Sequence, residues 1–190
     1  MKTKLAMLTL AVSCAFAGNA MALTKEEYKV QKDRVEADYK AGKEKCDALK
    51  ANAKDICQAE AKGAEKVAKA ELEAQYKPSP RHDKSIRDAK ADAAYDVAKE
   101  KCDDLAGNAK DVCVKDAKAT RTTAKADAKV SKANADGNKD KAENVADARK
   151  DANADKNEAQ YKAAKERCDT MAGAAKDACQ NDAKVKFGMK

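Results

Sequence analysis

Six cysteines fall into three pairs of one spacing: Cys46 with Cys57, Cys102 with Cys113, and Cys168 with Cys179, each pair enclosing ten residues. Thiols so placed can ligate a metal, exchange electrons or cross-link the chain. Structural zinc sites use closer pairs such as Cys-x2-Cys, or histidine partners. This sequence has no such pair and a single histidine, His82. Thiol redox enzymes place Cys-x-x-Cys beside a βαβ pattern, and neither is present. Cross-linking is the chemistry left, and no metal or cofactor is expected.

The pairs sit in a repeat. The segments Lys43–Cys57, Lys99–Cys113 and Lys165–Cys179 resemble one another, and a tyrosine (Tyr39, Tyr95, Tyr161) stands seven positions before each first cysteine. Self-similarity of this kind marks a repeated supersecondary unit. Tyr39, Gly42, Cys46 and Leu49, with their counterparts ending in Leu105 and Met171, trace one face of an α-helix. One unbroken helix would hold the two cysteines of a pair about 16 Å apart, whereas a disulfide needs Cα atoms within about 7 Å. The chain must therefore turn between them.

Turn chemistry is present. Gly107 suits a left-handed residue ending a helix, Asn108 a cap of the next, and Asp111 its first turn. The first copy has Ala51 for the glycine, and the third has Ala174 for the asparagine. Cysteines equally far from the turn centre would lie at one height on antiparallel helices. The expected fold is all-α: three disulfide-stapled antiparallel hairpins in tandem, joined as Cys46–Cys57, Cys102–Cys113 and Cys168–Cys179.

Lys2 and Lys4, the apolar run Leu5–Gly18, and Ala20-Met21-Ala22 read as a signal peptide at 1–22, cleaved after Ala22. Cleavage removes Cys14 and leaves the six paired cysteines, as an exported disulfide framework requires. The competing reading is a lipoprotein acylated at Cys14, but Ala11 stands where the signal wants leucine. Charged residues make up 38% of the chain and Trp is absent, so a conventional globular core is out of reach. Loop-entropy arithmetic assigns about 2.7 kcal/mol to each bridge closing such a short loop, which can stand in for missing apolar burial.

Thr24 and Glu27 form a capping box for a first helix, with Leu23 and Tyr28 placed to staple it. That helix reaches Leu49, and a second runs from about Ala53 to Tyr76, completing hairpin 1 at 23–77. Pro78 and Pro80 mark a linker at 78–82 that contains His82. Hairpin 2 (83–135) has helices from Asp83 or Ser85 to Leu105 and from Ala109 to about Asn134. Asp136-Gly137-Asn138 turns into hairpin 3 (136–190), whose helices run from about Lys139 to Met171 and from Ala175 to about Phe187. On the fourth helix Lys118, Arg121, Lys125, Lys129 and Lys132 recur at helical steps, a cationic stripe on one face.

The signal segment with the repeated Tyr-x6-Cys-Asp and Ala-Lys-Asp-x-Cys units resembles a group of exported Lys/Ala-rich β-proteobacterial proteins, some described as TolA-like cell-envelope proteins. The resemblance spans the mature chain and implies an envelope location, but it carries over no functional residues. TolA itself keeps an uncleaved anchor and a globular C-terminal domain, which this sequence does not show.

No nucleophile–base pair or phosphate loop is evident, and the carboxylates alternate with lysines as on solvated helix faces. The expected function is non-enzymatic: a periplasmic structural or interaction protein, a spacer or stress protectant with coiled-coil-like helices and an envelope partner. The alternative is a polyanion-binding module that takes lipopolysaccharide, acidic lipid or nucleic acid on the cationic stripe.

Peptide mapping without reductant should recover the three local pairings and no free thiol in the exported protein. Bridges between different repeats would refute the hairpins.

Overall fold

The structure, a computed structural model, describes residues 22–137 and 140–190. Six helices account for nearly all of it: α1 (Lys25–Cys46), α2 (Ala51–Tyr76), α3 (Pro80–Cys102), α4 (Gly107–Ala135), α5 (Lys141–Cys168) and α6 (Gly173–Phe187). Among the described residues each helix packs only on its neighbours in sequence. The result is an antiparallel row one helix thick, with three stapled turns along one edge. The hairpins pack on one another through α2 against α3 and α4 against α5.

A single layer has no central core, and the buried residues match that geometry. Apart from Leu72 and Val145, the buried apolar set is alanine and cysteine, and the largest fully buried side chains are Cys46, Cys102 and Cys168. Alanine suits a helix by propensity and permits close approach of backbones. Gly63 carries this furthest. A Cβ built on it would lie 2.8 Å from the Cβ of Ala93, so α2 and α3 meet there at a distance only glycine allows.

The capping box of α1 forms as read: the amide of Glu27 donates to Thr24 Oγ1 at 3.2 Å, and the amide of Thr24 donates to Glu27 Oε2 at 2.8 Å. Tyr28 is held by α2, its hydroxyl donating to Glu73 and its ring lying 4.6 Å from that of Tyr76. The link between hairpins is tighter than the expected 78–82. Ser79 Oγ accepts the amide of His82 at 3.2 Å, and α3 begins at Pro80. Proline at the first helical position needs no amide partner, so His82 belongs to the first turn of α3. The turn expected at 136–138 falls partly outside the described residues; α4 ends at Ala135 and α5 begins at Lys141.

The stapled turns depart from the expected symmetry. Each first helix ends at its cysteine, not at Leu49, Leu105 or Met171, because the amides of those three residues bond back to the cysteine carbonyls at 3.0 Å. Their side chains leave the inner face and are 42%, 45% and 45% exposed. The next residue is extended (Lys50, Ala106, Ala172), and the one after is left-handed: Ala51, Gly107 and Gly173, with φ of 48°, 55° and 55°. The left-handed residue thus opens the second helix of each unit instead of closing the first. The cysteines are not equidistant from the turn, yet this path brings their Cα atoms to 5.5, 5.6 and 5.8 Å.

Among the described residues Ala51 alone adopts the left-handed conformation with a side chain. Ala51→Gly should therefore stabilise the protein by about 1 kcal/mol, and Gly107→Ala should destabilise it by a similar amount. Urea denaturation of both variants beside the wild type checks the pair.

Candidate interaction surface

The disulfides form as paired in the sequence, joining Cys46 to Cys57, Cys102 to Cys113 and Cys168 to Cys179. Around each, the repeat builds the same ion pair. The aspartate after the first cysteine meets the lysine three residues before the second: Lys54 to Asp47 at 2.8 Å, Lys110 to Asp103 at 3.0 Å, and Lys176 to Asp169 at 2.8 Å. Hydrogen bonds from these lysines hold the carboxyls of Asp47 and Asp169 below the usual range.

The asparagines do something the sequence reading missed. Neither Asn52 nor Asn108 caps its own helix. The Asn52 amide group donates to the carbonyl of Glu100 at 2.7 Å, and that of Asn108 to the carbonyl of Glu166 at 3.1 Å. Each reaches the last turn of the following hairpin's first helix and adds a second donor to a carbonyl that also accepts the amide of the cap residue, Asp103 or Asp169, at 3.1 Å. The turns are thereby latched edge to edge. In the third copy Ala174 replaces the asparagine, and no further helix packs on α6 among the described residues. The signal was present in the sequence as that substitution.

The cationic stripe does not form one free face. Arg121 and Lys125 both reach Asp92 of α3, at 2.5 and 3.1 Å. Lys129 pairs with Asp151 of α5 at 2.6 Å, and Lys132 with Asp136 at 2.6 Å. Lys118 stands exposed on the α5 side near Glu158, whose carboxyl is held low chiefly by the hydrogen bond from Lys162 and further by the charges of Lys162 and Lys118. The stripe therefore splits, two cations meeting α3, one α5 and one the C-cap of α4 itself, so that four of its five cations already have carboxylate partners. The Arg121 guanidinium also lies over the ring of Tyr95, 5.2 Å from its centre. A helical wheel of α4 alone omits the acids that its neighbours supply.

Among the described residues no group of three or more His, Cys, Asp or Glu side chains converges as a metal ion would need. No helix there is long and apolar enough to cross a membrane. Comparison of the chain with protein-family models, curated proteins and solved structures finds no match.

Partial burial of Asp92 opposes its charge, but the hydrogen bonds from Arg121 and Lys125, aided by their charges, outweigh that penalty and lower its pKa. A carboxyl lowered on folding contributes stability above its unfolded pKa of about 3.9, and that contribution is lost as pH falls through the folded value. Asp92→Asn should cost about 1 kcal/mol at neutral pH. The gap should close in acid, which urea titrations at neutral and acidic pH would show.

Proposed function

We propose that this chain is an exported, non-enzymatic structural or interaction protein of the cell envelope, acting in the periplasm as a spacer or a helical platform for an envelope partner. The observation that carries the reading is the row itself. Three cystines, three Asp–Lys pairs and two asparagine latches stiffen one edge of a layer that buries little beyond alanine. Cystines persist in oxidising compartments and are rare in the cytosol, which supports export. The even spread of paired charges suits a surface that stays solvated.

The signal segment, apart from Ala22, lies outside the described residues, so its processing is a matter for chemistry on the whole protein. Fractionation of the producing cell, with intact-mass analysis, should find a periplasmic chain beginning at Leu23, carrying three disulfides and no lipid. An acylated Cys14, or a reduced chain confined to the cytosol, would defeat the localisation. In-cell cross-linking should then capture an envelope component. Low-salt binding to anionic vesicles that disappears when Lys118, Arg121, Lys125, Lys129 and Lys132 become glutamine would favour polyanion binding instead.

A further inference from the structure

Between α2 and α3 runs an open groove of about 690 Å³ floored by Gly63, Val67, Ala93 and Val97, with Ala64 and Ala94 exposed at its lips. Four charges frame it. At the end away from the stapled turns Lys90 pairs with Glu71 at 2.8 Å. At the end nearer those turns Glu60 and Lys101 face each other across the groove, and no ion pair joins the two in the described structure.

The next repeat carries a groove of similar size, about 710 Å³, with both ion pairs of the frame made. Adding 56 to the α2 positions and 66 to those of α3 carries the lining onto the groove between α4 and α5, where Glu60 becomes Asp116 and Lys101 becomes Arg167. There Arg167 bridges to Asp116, Lys156 bridges to Asp127 as Lys90 does to Glu71, and Phe187 of α6 lines the space. Thr123 and Gln160 stand where the first groove has Val67 and Ala94. The first groove is thus the more apolar of the two, and its frame is unclosed.

We infer that the α2/α3 groove is a self-association surface whose occupant is the same groove of a second copy of this chain. Charge complementarity selects this occupant and its orientation. Glu60 and Glu71 lie on α2, whereas Lys101 and Lys90 lie on α3, level with them in that order. A two-fold axis parallel to the helices lays α2 of one copy on α3 of the other. It brings Glu60 over Lys101 and Glu71 over Lys90 in both halves of the interface. A two-fold axis running across the helices would instead stack Glu60 on Glu71 and Lys101 on Lys90, and like charges so placed are costly. The small side chains allow helix pairs to approach face to face, and the matching patch makes the contact isologous and closed, a dimer and not a filament. The second groove, of similar volume, is more polar, and its Arg167 and Asp116 already satisfy one another.

Charge reversal tests both partner and orientation, with the full disulfide-bonded chain and circular dichroism to confirm retained helicity. Light scattering on a concentration series should show wild-type dimers. Glu60→Lys and Lys101→Glu should each lose about tenfold or more in dimer affinity, because each places like charges opposite one another across the axis. An equimolar mixture of the two variants should dimerise again. In the mixed dimer the lysine introduced in one chain meets the glutamate introduced in the other, while the unaltered Lys101 of the first meets the unaltered Glu60 of the second. A wild type that stays monomeric throughout the series would overturn the proposal. So would undiminished dimerisation by either variant alone, or failure of the mixture to restore it. None of these outcomes depends on where in the cell the protein resides.

Discussion

Everything in this fold depends on bringing helix backbones close with almost no apolar bulk between them. A row one helix thick leaves most of every helix wet, and alanine buries too little surface to hold such a row by the hydrophobic effect alone. The cystines answer that shortage. The first cysteine of each bridge is among the most buried of the described residues and its partner is half-buried, and each bridge closes a short loop in the unfolded chain as well as pinning the folded one. Alanine and Gly63 then serve mainly by being small, letting neighbouring helices settle against one another once the turns have aimed them.

Polar groups fix register where apolar packing is too smooth to do so. A face of alanines slides at little cost, so specific pairs must set the height of one helix on the next. Arg121 and Lys125 converging on Asp92 do this between α3 and α4, as do Lys66 on Asp96 and Lys90 on Glu71 between α2 and α3. Exposed pairs of this sort are individually weak. Spread along every seam, they favour one register over its neighbours one turn away. The asparagine latches add hydrogen bonds that tie each of the first two stapled turns directly to the next hairpin.

Most of the secondary structure was legible, and the misreadings have specific causes. Repetition and helical spacing revealed the all-α class and the cysteine pairing, because a fixed loop length between thiols constrains geometry wherever it occurs. Helix ends were misjudged at Leu49, Leu105 and Met171, since their spacing continues the apolar face even though the backbone has already turned. Gly107 was recognised as left-handed but assigned to the wrong helix, as residue type alone does not say on which side of a turn the conformation falls. Pro80 by residue type suggests a separator, but behind Ser79 it is the start of a helix.

By itself the sequence determined the local units: where the chain turns, which cysteines pair, and that the helices are solvated and rich in alanine. Those follow from interactions spanning a few to a dozen residues. Tertiary structure alone decided that the hairpins pack into one row, that Asn52 and Asn108 serve the neighbouring unit, and that Arg121 and Lys125 of α4 meet an acid on α3 while Lys129 meets one on α5. The physical reason is distance along the chain. Asn52 and Glu100, or Arg121 and Asp92, belong to different helices, and nothing in a helical periodicity says which face of one helix will meet which face of the next.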